Sequence, residues 1–390
     1  MPFPPPVRRA APYPRQTHRV DVLDVVLVVV GLLLVLVTLL DAFDTLLATH
    51  LAGLGWSLSG VYYAVTWRSY RWLCARIDDD HRREQALGLF GPASFIGLLL
   101  VWTTASIAGW GLVWWGVRSQ FSVPPESVGD AFYYSGVAYF SIGFGDLLPG
   151  STLTKAFSIL AAMDGLGTLG LVIGYLPTLS AAYKERESQL LLLDDLTDAR
   201  ITPVSLILSH SGPDGDTTEL DAMFRDWERW CADIFESHSS LPMLVLWRSK
   251  HRGHSWITAL GVVTDAAIDH IAITPGAERG PAMRLYRQSV RLVLYLSDRF
   301  GLQTGDYELP GPEPWGVAHR HLTEAGVAHR SVEESFAMLH ELREPFHPAM
   351  EAFIDALLAP RGFWGVTAAQ HLAEPDLDPI FRHRSSDDAD

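Results

Sequence analysis

The chain has 390 residues, of which 48% are hydrophobic and 19% charged, against about 25% charged in an ordinary soluble domain. Its net charge of −15 is unevenly placed: residues 1–184 hold 12 acids and 12 bases, so the whole excess lies in residues 185–390. An acidic chain with no basic face is excluded as a nucleic-acid binder, and two cysteines, Cys74 and Cys231, exclude a disulfide framework or a cysteine zinc cage.

Residues 1–20 are rich in proline and arginine and read as a disordered tail. Residues 21–48 follow as a transmembrane helix. Val25–Leu40 is uncharged and dominated by Val and Leu. A bilayer core needs about 20 apolar residues in a helix, so this one must run past Asp41 and Asp44, which are expected to meet arginines or water. A signal-peptide core is the alternative, but the apolar run is long and no small-residue cleavage site follows it. Residues 49–86 mix Trp56, Tyr62, Tyr63, Trp67, Tyr70 and Trp72 with Arg68, Arg71 and Arg76. That pattern predicts an interfacial helix and an aqueous link, with a fourth span as the alternative.

Residues 87–118 read as a second spanning helix, since Ala86–Val117 carries no charge. Trp110, Trp114 and Trp115 at its end fit an aromatic belt. Residues 152–187 form a third, whose apolar stretch carries one charge, Asp164. Five arginines between residues 68 and 83, with Lys184 and Arg186 after the third span, place the 49–86 link and the C-terminal half in the cytoplasm by the positive-inside rule. The N-terminus is then external, against the pull of its own four arginines.

Between the last two spans, residues 127–149 read SVGDAFYYSGVAYFSIGFGDLLP. Ser127 and Asp130 suit the start of a short helix. After it comes Ser141-Ile142-Gly143-Phe144-Gly145-Asp146. Alternating glycines permit a strand of alternating handedness, with every carbonyl turned to one side. Four such strands about an axis would stack rings of oxygen able to replace the hydration shell of a cation, and the Ser141 hydroxyl can add one more ring.

This segment resembles the selectivity filter of the potassium channels of the pore-loop superfamily, usually TVGYGD or TIGFGD. The order of outer helix (87–118), pore helix and filter (127–149) and inner helix (152–187) is similar to their pore module. The resemblance covers about residues 87–184. It implies an all-α membrane protein: a tetrameric pore-loop channel module with one extra N-terminal transmembrane helix and a C-terminal, mainly helical cytoplasmic domain. It implies that Ser141, Ile142, Gly143, Phe144 and Gly145 bind K+ through backbone carbonyls and the Ser hydroxyl. Asp146, Tyr133 and Tyr134 would support the filter, and Gly165 would be the gating hinge. No cofactor is implied beyond permeant K+, and no catalysis. The partners are the lipid bilayer and three further copies of the chain. There are departures from the pattern: Ser141 and Phe140 replace threonines, Phe144 replaces tyrosine, and Val137 stands where some members carry an acid that pairs with the filter aspartate. Asp146 is therefore expected to lack that partner.

Other motifs have plainer readings. Gly165–Gly170 spells GxGxxG, but it lies in a membrane helix rather than a βαβ unit. Gly170 and Gly174 have the spacing of a membrane helix-packing motif. Asp164 either rings the pore cavity or bonds to Thr103, Thr104 or Ser106 on the outer helix, and its angular position favours the second. His251 and His254 lack companions for a zinc site and read as a loop.

Residues 190–372 predict a helical domain. Its helix-start signals are Thr202-Pro203, Asp216 with Glu219, Ser255, and Ser331 with Glu334. Further helices are expected over Ala282–Phe300 and Pro348–Leu358. The run Arg200–Leu208 is also compatible with a strand. Residues 373–390 are an acidic tail. No regularly spaced arginine helix and no βαβ regulator is present, and the domain's ligand or protein partner is unknown. The functions to weigh are a potassium-selective channel gated through this domain, a weakly selective cation channel, and a membrane-tethered sensor with a vestigial pore.

Overall fold

The computed structural model describes residues 21–47, 57–194, 201–212, 215–249, 255–303 and 311–360. The two tails, most of residues 49–56 and the His251/His254 pair lie outside them. The helices in chain order are α1 (Val22–Leu47), α2 (Leu58–Cys74), α3 (Asp80–Gly116), α4 (Val128–Tyr139) and α5 (Thr152–Asp194). They continue with α6 (Pro203–Ser209), α7 (Thr218–Ser240), α8 (Trp256–Ile273), α9 (Pro281–Arg299), α10 (Pro312–Glu324), α11 (Val332–Arg343) and α12 (His347–Leu357). A two-stranded antiparallel sheet joins β1 (Phe121–Val123) to β2 (Leu148–Pro149). Contacts divide the chain into two compact units: residues up to 66 with 93–178, and residues 67–92 with those from 179 onward.

In the first unit α1 runs antiparallel to α3 at close range. A Cβ on Gly31 would lie 2.4 Å from the Gly109 carbonyl, and one on Gly116 would lie 2.6 Å from that of Asp24. Small residues are what let membrane helices approach this closely. Arg118 closes one end with an ion pair to Asp24 at 2.6 Å. Asp41 closes the other. It accepts from the Ser59 backbone N–H at 3.1–3.2 Å, the Ser59 hydroxyl at 3.1 Å and the Trp102 indole at 2.8 Å. Asp41 thus anchors the start of α2 and does not meet the arginines expected for it. Along α2, Tyr62 donates to the Ser94 carbonyl and Tyr70 to that of Ala86. A rising number in α2 pairs with a falling one in α3, so α2 tracks α3 lengthwise.

The remainder of the first unit holds the loop between α3 and α5. Helix α4 begins with a capping box in which Ser127 accepts from the Asp130 N–H and Asp130 from the Ser127 N–H. The β1–β2 pair draws the two ends of the loop together, and the Gln120 carbonyl accepts from Gly150 and Ser151. Trp110, Val113, Trp114, Phe121, Tyr134 and Ala161 form the packed core around α4.

The second unit is a helical bundle into which the ends of α2, α3 and α5 are built. Its centre is α8, every residue of which is buried. By length and composition α8 could cross a membrane. It is instead wrapped by α6, α9, α11 and α12, the expected place for a helix apolar on all sides. Two of its acids, Asp265 and Asp269, are held by Arg343 at 3.3 and 3.0 Å, and His347 meets Asp265 at 2.7 Å. Within the run Arg200–Leu208, Pro203–Leu208 is helical, not strand, because Thr202 and Ser205 cap α6 reciprocally. Helix α7 starts at Thr218, where Asp216 accepts from the Thr218 N–H and hydroxyl rather than pairing with Glu219 in a capping box. Helix α10 was not among the expected helices, although Pro312 at its first position is the same helix-start signal as Pro203 in α6.

Candidate pore segment

The segment after α4 is set by backbone geometry. The N–H groups of Phe140, Ser141 and Ile142 donate to the carbonyls of Gly136, Ala138 and Val137 at 3.0, 3.1 and 2.9 Å, which winds the helix down. The chain then alternates: φ is +55° at Ser141, +67° at Gly143 and +80° at Gly145, while Ile142 and Phe144 stay at negative φ. Glycine adopts the left-handed region freely, but serine does so only at a cost. Alternation of hand is the backbone pattern that lets successive carbonyls turn to the same side. Residues 140–146 are exposed, and nothing lies within 4 Å of a Cβ built on Gly143 or Gly145. The C-terminal end of α4, where the macrodipole is negative, leads directly into this segment, and both features favour a cation.

Tyr133 and Tyr134 have different surroundings. The Tyr133 ring stacks on Phe144, with centroids 6.4 Å apart and planes 1° from parallel, and its hydroxyl adjoins the Asp146 carboxylate. Asp146 therefore faces a phenol on α4, one turn earlier than Val137, rather than an acid. Tyr134 faces away. Its hydroxyl lies 2.9 Å from that of Ser158, and its ring packs edge-on against Trp114 and Phe121. Within the chain Tyr134 supports α4, not the filter segment. Ser135, which the sequence did not single out, ties α4 to α3 by donating to the Ile107 carbonyl at 2.7 Å.

Asp164 is buried and accepts from the Trp110 indole N–H at 2.9 Å. It sides with the outer helix, as its angular position suggested, but through Trp110 rather than a hydroxyl. Gly165, the expected hinge, has a close backbone neighbour. Helix α5 runs unbroken through it, and a Cβ there would lie 1.9 Å from the Tyr139 carbonyl. Its glycine is required for close approach to the end of α4. Gly167, Gly170 and Gly174 have nothing within 4 Å, so the GxxxG pair packs no partner inside the chain. The interruption built into α5 is Pro177, which the sequence reading missed although proline in a helix is its own signal. Met163, Leu166, Leu169, Ile173 and Leu176 form a wide, exposed apolar face on α5.

Residues 96–179 match the model of a family described as Ion channel. Over 248 residues the chain is 27% identical to the Uncharacterized membrane protein YdjJ of Bacillus subtilis (strain 168), covering 61% of this chain and 68% of that protein. A shorter stretch of 84 residues is 31% identical to Two-pore potassium channel 2 of Arabidopsis thaliana, covering 21% of this chain and 18% of the relative. No solved structure matches. The matched region begins in α3, takes in α4 and the alternating segment, and ends in α5. The chain is an all-α membrane protein carrying an ion-channel domain.

Proposed function

We propose that the protein is a potassium-selective channel, passive and non-enzymatic, in which four copies bring their Ser141–Gly145 carbonyls around one axis. The observation that carries this reading is the alternation of backbone hand at Ser141, Gly143 and Gly145. One chain supplies one quarter of an ion-coordinating ring, and cyclic symmetry supplies the rest. The exposed apolar face of α5 supports that assembly, since each copy needs a surface for its neighbours. The stacked Tyr133 and Phe144 rings and the paired Asp146 form the supporting wall of the filter. We infer further that the C-terminal domain lies in the cytoplasm and sets the position of α5. The end of α5 is buried in that domain, where Arg186 donates to the carbonyls of Leu244 and Trp247 at 3.0 and 2.8 Å.

The test is ion flux through the purified full-length protein in liposomes, potassium against sodium, with barium as blocker. Potassium flux at least about tenfold above sodium and blocked by barium is the expected result. Equal fluxes would leave a weakly selective cation channel and point to Phe140 and Ser141 as the loosened end of the filter. No flux from an intact tetramer under any applied condition would favour a sensor with a vestigial pore.

A further inference from the structure

The left-handed Ser141 poses a problem of support. A non-glycine residue held at positive φ persists only where its surroundings over-determine it. The residues after it are exposed, so the support must come from before it, at the end of α4. There Tyr139 is 3% exposed, and among the described residues its hydroxyl oxygen meets no hydrogen-bond partner at bonding geometry. Asp164, 7% exposed, stands beside it on α5. One Asp164 oxygen takes the Trp110 N–H and the other, also buried, has no hydrogen-bond partner. Ser106 adjoins Asp164, while Thr103 and Thr168 adjoin the Tyr139 hydroxyl. The next residue on α5, Gly165, lets the Tyr139 carbonyl seat against its Cα. Outer, inner and pore helices therefore meet at one buried polar junction, two residues before the strained serine.

We propose that Asp164 is a positioning residue for the filter: it ties Trp110 of α3 to the end of α4 at Tyr139 and so holds Ser141 in its left-handed conformation. The proposal rests on the reading of residues 141–145 as the ion path. A carboxylate suits the task because it accepts in two directions and does not compete as a donor with the indole and the phenol. The same junction gives α5 a direct hold on the filter, independent of any bend further along the helix.

The test uses the full-length protein in planar bilayers and compares Asp164→Asn, Asp164→Leu, Trp110→Phe and Tyr139→Phe. The readouts are the permeability sequence among K+, Rb+, Cs+ and Na+, the open-channel lifetime and the thermal stability of the detergent-solubilised tetramer. Asp164→Asn keeps an acceptor for Trp110 and should hold relative permeabilities within about twofold of wild type, whereas Trp110→Phe and Asp164→Leu should shift them or the open lifetime by about tenfold. Should Asp164→Leu fail to assemble, Trp110→Phe and Tyr139→Phe carry the comparison, since the first removes the indole N–H while keeping an aromatic ring and the second removes only the hydroxyl. The proposal is overturned if these variants lose only thermal stability and keep wild-type permeation. It is overturned equally if Asp164→Asn is as altered as Asp164→Leu. Variants are scored against the wild type's own permeation, so a wild type that passes sodium as freely as potassium sinks potassium selectivity alone.

Discussion

The Tyr139 carbonyl oxygen sits where the Cβ of residue 165 would be, 1.9 Å from an ideal position built on Gly165. A contact of that kind with backbone leaves no room for adjustment by a flexible side chain. Overpacking of a buried site costs about 1–3 kcal/mol. Gly165→Ala should lower the melting temperature of the detergent-solubilised protein and reduce flux. Gly167→Ala and Gly170→Ala, which meet nothing within 4 Å, should be close to wild type in stability. If Gly165→Ala kept full stability and altered only gating, the hinge role would be restored.

Tyr133 and Asp146 form the second contact to probe. Tyr133→Phe preserves the ring stacked on Phe144 and removes only the hydroxyl that adjoins Asp146 and is placed to donate to it. A hydrogen bond to a charged group is worth about 1.5–3 kcal/mol. We expect the variant to conduct and to lose current faster during sustained activation, with Asp146→Asn behaving alike. Current decay identical to wild type in both variants would show that the pair does not steady the filter.

Among the described residues Asp41 is the only hydrogen-bond partner of the Trp102 indole, and it also receives the Ser59 N–H in the first turn of α2. Asp41→Ala leaves both donors buried and unpaired, at a cost of about 3 kcal/mol. Asp41→Asn retains one acceptor oxygen and should fall between the two. The check is thermal unfolding of the three proteins in the same detergent. Equal melting temperatures would mean that the α1–α2 corner does not depend on this carboxylate.

Arg248 joins three elements of the second unit. Its guanidinium pairs with Glu84 of α3 at 3.2 Å and donates to the carbonyls of Leu357 and Leu358 after α12, while its own carbonyl accepts from Tyr183 of α5 at 3.0 Å. A lysine has no planar fork to reach all of these at once. Arg248→Lys should therefore behave like Arg248→Ala. Both should change open probability by about tenfold, the equivalent of one lost charge-assisted bond at about 1.4 kcal/mol, with ion selectivity unchanged. Single-channel recording separates the two quantities, and an unaltered open probability would remove Arg248 from the gating path.

His238 supplies the pH dependence. Burial, and then the neighbouring Arg186 guanidinium, push its imidazole well below the usual value of 6.5. The folded chain refuses a proton that the unfolded chain accepts. The stabilising contribution is thus fully present above pH 6.5 and is lost as the pH falls below it, by at most about 1.4 kcal/mol per unit. In denaturant unfolding of the full chain, wild type should lose ground to His238→Phe as the pH drops from 6.5. A difference between the two that does not vary with pH would mean that His238 titrates normally.

Much of the candidate site was legible in the sequence because its conformation is local. The left-handed residues at 143 and 145 follow from glycine spacing, and the capping box at Ser127 and Asp130 from side chains three residues apart, whereas the left-handed Ser141 does not. Stretches too apolar for water likewise announced α1, α3 and α5 without reference to any neighbour. What tertiary structure alone decided is which atom each buried group faces. Periodicity turned Asp164 toward the outer helix but could not choose Trp110 over a hydroxyl, because helix rotation and side-chain reach depend on packing against α3. A glycine reads the same whether it bends a helix or lets one approach, so only the seat of the Tyr139 carbonyl distinguished the two roles of Gly165. Helix α8 makes the same point at larger scale: composition alone allows a membrane span, and only the amphipathic helices packed around it make it the core of the C-terminal domain.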